Sequence, residues 1–337
     1  MSRAVEYAKL LRLKSMGISN VAVFGALSVT GSLELHHFLL LFLIGVAFNI
    51  LGFVLNDYFD VKIDKTSMDL FERPLVKGTV SSRSALRISL ILYLFIFILA
   101  LFFFRDLLSL LMLTLAVIFG TIYDCYGKSF LVSELILAGA MALFCLFGAF
   151  TVSSNFGLLT WIIVFLVFVH VLFLIVVEGG LKDADNDRKS ESKTAAVYLG
   201  VKTKPEMSIP ISFKALAIFI ESCVAFIVFL PFLIIQDVFN FEFWYIQVIV
   251  LLLVTGSLFV TIIRMLNMKS FDREKIRNVI VEQEAKRYII IVIILMGVTG
   301  FLWFLILILI PFIWAFIWFL IFKFIFHEKL PRVSRLL

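Results

Sequence analysis

Two short stretches of the chain bring carboxylates together at helical spacing. The first, Asn56-Asp57-Tyr58-Phe59-Asp60-Val61-Lys62-Ile63-Asp64, closes an apolar run. At about 100° per residue, Asp60 falls about 40° from Asn56, Asp64 about 80° and Asp57 about 100°, so one helix face carries all four oxygen-bearing side chains. The second, Glu178-Gly179-Gly180-Leu181-Lys182-Asp183-Ala184-Asp185-Asn186-Asp187, closes another apolar run. There Asp183 and Asp187 share a face, and Asp185 points the opposite way.

Clustered carboxylates repel one another and are costly beside hydrocarbon unless positive charge neutralises them. A hard divalent cation answers both problems, and Mg²⁺ takes carboxylates together with phosphate oxygens. Two clusters therefore point to Mg²⁺ ions bridging a diphosphate. Arg73, Lys77, Lys128 and Lys182 are candidates to hold the remaining phosphate charge, arginine through its fork and lysine as a point charge. Solvated loop acids would explain one such cluster, but explain poorly two that share periodicity and both end apolar helices. An EF-hand loop starting at Asp183 fails, because Arg188 stands in place of the turn glycine and Thr194 in place of the twelfth-position glutamate.

The elements that must position these acids are membrane helices. Of 337 residues, 62% are hydrophobic and only 16% charged, with a mean hydropathy of +1.10. Soluble domains run at about 25% charged, so an ordinary soluble enzyme, a disordered chain and a disulfide scaffold are excluded. The cysteines, Cys125, Cys145 and Cys223, form no CxxC pair. Hydropathy predicts spans near 16–33, 37–57, 84–104, 107–124, 130–152, 158–178, 211–235 and 243–264. Tyr288 to Phe322 then runs without a charge, too long for one span, with Pro311 as the expected break.

Residues 1–15 read as a basic interfacial helix, and 311–337 as an extra apolar segment with a basic tail. With a cytoplasmic N-terminus, Arg105 is the one basic residue in an outside connection, and a cytoplasmic C-terminal tail requires an even number of crossings. The expected fold is thus an all-α, polytopic single domain with nine or ten transmembrane helices. The long loops, and both acidic clusters, lie on the cytoplasmic side. The net charge of +6 is a topological signal; no soluble basic face suggests nucleic acid, and no obligate protein partner is evident.

At the acidic clusters the chain resembles the UbiA superfamily of intramembrane prenyltransferases. Asn56 to Asp64 matches its NDxxDxxxD motif in full, and Asp183 to Asp187 matches its DxxxD motif. Lys193-Thr194 comes next, as in the family's Gly-x-Lys-Thr-like run, with Glu191 in place of glycine. Arg73-Pro74-Leu75-Val76-Lys77-Gly78 resembles RPLxxG, and Tyr123 with Lys128 resembles a Tyr-xxx-Lys element, one residue longer here.

The resemblance implies helices around a central chamber with a lipid-facing opening, and Mg²⁺-dependent prenyl transfer from an isoprenyl diphosphate, such as geranylgeranyl diphosphate, to a lipophilic acceptor drawn from the membrane. Aromatic rings of quinone precursors and archaeal-type glycerol ether lipids are the expected acceptors. It assigns Asn56, Asp57, Asp60, Asp183 and Asp187 to metal, with Asp60, Asp64 and Tyr123 acting at the reacting diphosphate. Arg73, Lys77, Lys128 and Lys182 would bind that diphosphate, and Ser15 and Asn20 are weaker acceptor candidates. His170 reads as a buried structural histidine. Glu221, an intramembrane carboxylate, is the feature a transporter reading would use.

Overall fold

A computed structural model describes residues 3–13, 15, 19–65, 70–203, 206–235 and 244–326. Its fourteen α-helices are, in chain order, α1 (Arg3–Leu10), α2 (Val21–Thr30), α3 (Leu35–Phe59), α4 (Val61–Asp64), α5 (Pro74–Lys77), α6 (Ser82–Phe103) and α7 (Leu107–Tyr126), then α8 (Glu134–Phe150), α9 (Leu158–Phe173), α10 (Gly180–Lys189), α11 (Ala195–Tyr198), α12 (Ile211–Ile234), α13 (Trp244–Leu266) and α14 (Arg273–Leu320). No β-strand occurs among the described residues beyond an isolated bridge between Lys202 and Ser208. Among the described residues, seven helical stretches are long and apolar enough to cross a membrane, and α6 turns Leu90, Ile91, Leu94, Leu101 and Phe102 outward. Outward apolar side chains on a helix of this length suit lipid as the surrounding solvent. The chain is an integral membrane protein.

The short α2 lies at the centre, with every residue from Val21 to Ser28 buried. It packs on α8 by backbone contact. A Cβ added at Gly25 would stand 1.9 Å from the Cys145 carbonyl oxygen, and one at Gly148 only 1.8 Å from that of Ala22. Small residues that let backbones meet are the usual adhesive between helices in lipid, where apolar surfaces gain nothing by leaving water.

The last helix corrects an expectation. Straight, its 48 residues would run about 72 Å at 1.5 Å each, far beyond the roughly 30 Å hydrocarbon core. The chain instead reverses at Gly300 (φ 73°, ψ 177°), a conformation open in practice only to glycine, and not at Pro311. The two arms, 273–299 and 301–320, lie side by side. Tyr288 donates its hydroxyl to the Leu307 carbonyl at 2.8 Å, although a straight helix would hold these residues about 28 Å apart.

That contact also explains why Pro311 is tolerated. Proline has no N–H for the carbonyl four residues earlier, which is Leu307, and Tyr288 supplies the missing donor. Tyr288 Oη in turn accepts from Asn20 Nδ2 at 3.0 Å. Tyr288→Phe is expected to cost about 1–3 kcal/mol, the penalty of unsatisfied buried polar groups, and to lower the unfolding temperature in detergent. Adding Pro311→Ala should recover part of the loss, because the new N–H reaches Leu307.

Candidate functional site

Both acidic clusters lie at one end of the bundle, at the C-terminal ends of α3 and of the α9–α10 rod. Asn56 and Asp57 end α3, Asp60 forms the turn, and α4 carries Asp64. The helical path continues through that turn, with Asp64 N–H donating to the Asp60 carbonyl at 2.8 Å. The expected common face is therefore kept. Arg73 reads it directly, its Nη1 lying 3.1 Å from Asp57 Oδ1 and 2.5 Å from Asp64 Oδ2. Arg73 occupies the extended position before Pro74, which starts α5 at its first turn, where a missing N–H costs nothing.

The second cluster lies in the last turns of its helix, past the end of the apolar run. After α9 the backbone widens into a π-helical turn, Leu174–Gly179, and proceeds without interruption into α10. Asp183 receives Arg273 Nη2 and lies 3.5 Å from Lys182 Nζ. Asp187 is buried, and Thr194 Oγ1 donates to its Oδ2 at 3.4 Å. Asp185, expected on the opposite face, pairs there with Lys189 at 2.7 Å and Thr203 at 3.2 Å.

Lys128 joins the two clusters. Its Nζ lies 2.8 Å from Asp60 Oδ2 and 3.8 Å from Asp187 Oδ1. Burial opposes the ammonium charge, yet Asp60 and Asp187 carry its pKa above the ordinary lysine value. Arg73 behaves alike: burial opposes its charge, and Asp57 and Asp64 raise its pKa. Burial pushes the Asp64 carboxyl above the usual carboxylate range, with Arg73 opposing. Lys128 is placed by its loop, whose carbonyl accepts the Lys193 N–H at 3.0 Å, while Glu134 Oε1 accepts the Ala195 N–H at 3.0 Å. Glu191, standing where glycine was the expected residue, adopts the left-handed φ of 54° that glycine takes without strain.

The remaining assignments divide. Tyr123 lies in the last turn of α7, within electrostatic range of Asp60 and Asp187. Lys77 is exposed and pairs with Glu72 at 2.8 Å, so it is not drawn into the cluster. Asn49 Nδ2 donates to the Ser15 carbonyl at 3.1 Å, and buried Asn20 is committed to Tyr288; neither Ser15 nor Asn20 joins the acids.

Helical spacing left three residues at the site unmarked. Arg12 donates to Asp57 Oδ1 at 2.6 Å, stacks its guanidinium 4.5 Å from the Phe53 ring centroid, and has a left-handed φ of 44°. Arg273 reaches Asp183 from the start of α14. Asp124, next to Tyr123, lies within electrostatic range of Asp60 and Asp57. Arg12 stands in the sequence only as part of the basic N-terminal helix and Arg273 only as a basic loop residue, the signal that sets topology, and Asp124 stands in no acidic run.

Among the described residues, no three acidic, histidine or cysteine side chains converge as a ready-made metal cluster. Basic side chains take those places: Arg12 and Arg73 on Asp57, Arg73 on Asp64, Lys128 on Asp60, and Arg273 on Asp183. The arrangement is an ion-pair network whose members of both signs can exchange partners with a charged ligand.

Comparison with known proteins agrees with this geometry. No curated protein sequence matches the chain. Among solved structures, a UbiA homolog from Archaeoglobus fulgidus bound to GPP and Mg²⁺ aligns with a TM-score of 0.65 at 17% identity, covering 88% of this chain and 100% of that one. A UbiA homolog from Aeropyrum pernix K1, in its apo form, aligns with a TM-score of 0.65 at 17% identity over 86% of this chain and 97% of its own. A digeranylgeranylglyceryl phosphate synthase gives a TM-score of 0.63 at 18% identity, with 89% and 100% covered. These likenesses establish a shared fold. The family model described as the UbiA prenyltransferase family matches residues 18–279, and with both acidic motifs in place the chain belongs to that family.

Proposed function

We propose that the protein transfers a prenyl group from an isoprenyl diphosphate, of which geranylgeranyl diphosphate is the type we favour, to a lipophilic acceptor in a Mg²⁺-dependent reaction. The observation that carries this reading is Lys128, which holds Asp60 of one acidic motif and Asp187 of the other on a single ammonium group. Two motifs far apart in sequence thereby serve one site.

The residues fit Mg²⁺. The donors are oxygens, and Asp187 Oδ1 is buried without a hydrogen-bond partner, as suits a hard cation's ligand. Asn56, Asp57, Asp60, Asp183 and Asp187 would hold the metal, with Asp64 supporting. Bound there, Mg²⁺ would act as a Lewis acid that stabilises charge on the departing diphosphate. Arg73, Lys128 and Lys182 would turn from their carboxylates to the phosphate oxygens, and Tyr123 would orient them. The C1–O bond breaks with its electron pair leaving on the diphosphate. The acceptor nucleophile bonds to C1 and releases a proton. Apolar walls protect the allylic cation character from water.

We place the clusters and N-terminus on the cytoplasmic side and read residues 1–337 as one domain. Counting α2 and both arms of α14 as crossings makes ten. Trp314 Nε1 donates to the Leu13 carbonyl at 2.8 Å, which supports the second arm returning to the side of the N-terminus. Acceptors of quinone-precursor and glycerol ether type are favoured. Purified protein in nanodiscs, given radiolabelled geranylgeranyl diphosphate, Mg²⁺ and each acceptor class, should release diphosphate and form a labelled lipid, with EDTA abolishing both. Absence of transfer and hydrolysis with every acceptor would refute the reading.

A further inference from the structure

A second charged cluster lies within the apolar bundle. Arg287, on the first arm of α14, donates from Nη1 to Glu178 Oε1 at 2.5 Å, and its Nη2 lies 3.5 Å from Glu221 Oε2. The arginine side chain is 6% exposed and both glutamates 0%. The guanidinium sits 4.3 Å from the centroid of the Phe173 ring. Gln283 Oε1 accepts from Nη2 at 3.5 Å, and its Nε2 donates to Thr261 Oγ1 at 3.3 Å. One guanidinium thus ties the end of α9 to α12 and, through Gln283, to α13. One turn towards the acidic motifs, Lys182 and Glu284 lie within electrostatic range with opposite charges. His170, buried on α9, also senses Arg287 and has neither ring nitrogen bonded.

The placement of Glu178 is the informative detail. It stands in the π-helical turn Leu174–Gly179, directly before α10. Such a turn inserts one residue into the helix, and each residue rotates the downstream part of the helix by about 100°. The turn therefore decides which face of α10 carries Asp183 and Asp187. A π-helical turn in isolation gains no stability over regular helix; something must hold it, and the shortest contact available is Arg287 to Glu178.

We propose that Arg287 is a positioning residue for the second acidic motif: by clamping the π-helical turn through Glu178, it aims Asp183 and Asp187 at Asp60 and Lys128. Glu221, at the longer distance, is the secondary partner. This rests on the metal-binding role proposed for the motif. Loss of a residue that orients metal ligands lowers metal affinity by about 10- to 100-fold.

The test uses Mn²⁺ binding followed by electron paramagnetic resonance on full-length protein, beside KM and kcat for geranylgeranyl diphosphate and thermal unfolding. Glu178→Gln and Arg287→Met should weaken Mn²⁺ binding at least about tenfold and raise the KM. Arg287→Lys should recover part of that affinity. Glu221→Gln should shift it less than about threefold, well short of the loss that removing an orienting residue brings. The combined variant Glu178→Met/Glu221→Gln/Arg287→Met removes all three charges together, which tends to preserve stability, so it separates folding from positioning. It should unfold near the wild-type temperature and still bind Mn²⁺ weakly. Wild-type Mn²⁺ affinity and KM in that combined variant would overturn the inference while leaving the proposed function intact. No Mn²⁺ binding by the wild type would overturn both. Tight wild-type binding without prenyl transfer would overturn the proposed function alone, and the affinities of the variants would still decide this inference.

Discussion

Asp60→Ala is expected to reduce prenyl transfer by about 10²–10³-fold, the loss typical when one group that stabilises transition-state charge is removed. Asp60 sits at the turn between α3 and α4, 2.8 Å from Lys128, at the meeting point of the two motifs. On the proposed reading, its removal would deprive the metal of a ligand and free the lysine that the second motif shares. Asp187→Ala should cost about as much, for Asp187 holds the other side of the same lysine. Because both serve one site, the double variant should be scarcely slower than either single one, as occurs when residues act as a unit. Rates from labelled-product assays at saturating Mg²⁺ check this. Multiplicative losses would mean that the motifs act independently.

Lys128→Met carries the second large effect, and its sign differs between two readouts. Without substrate, Lys128 would compete with a metal for Asp60 and Asp187, so its loss should tighten Mn²⁺ binding to the protein alone. With prenyl diphosphate present, the same change would remove the proposed phosphate contact. A charge-assisted hydrogen bond worth about 1.5–3 kcal/mol corresponds to a KM raised by about 10- to 100-fold. A lysine that merely supported the loop would weaken both. The opposite signs are therefore diagnostic of a residue that exchanges partners when substrate binds.

The acidic faces were legible because helical geometry is local. Spacing placed Asp57 and Asp64 together, and Arg73 bridges them; it turned Asp185 away, and Asp185 pairs elsewhere. Arg12 and Arg273 were not legible as site residues, since they reach the acids from the turn after α1 and from the start of α14, whose positions depend on packing across the whole bundle. Hydropathy ends the sixth span near 178, short of the second motif that helical spacing places on one helix face. It reports where the chain leaves hydrocarbon, whereas the helix persists through Lys189 as long as its backbone hydrogen bonds do. The break expected at Pro311 came from proline's cost within a single helix. In a membrane bundle a neighbouring side chain can meet that cost, and Tyr288 does so. The reversal fell instead to Gly300, whose positive φ no hydropathy window registers.

The central claim is that both acidic motifs form one metal-dependent diphosphate site. Equilibrium binding of geranylgeranyl S-thiolodiphosphate, which resists transfer, tests it most directly on wild-type protein and on the Asp60→Ala and Asp187→Ala variants, with Mg²⁺ and with EDTA. The wild type should bind tightly in Mg²⁺ and weakly in EDTA, with each variant in Mg²⁺ reduced to the level of the wild type in EDTA. Binding that survives EDTA, or that depends on one motif and ignores the other, would contradict that claim.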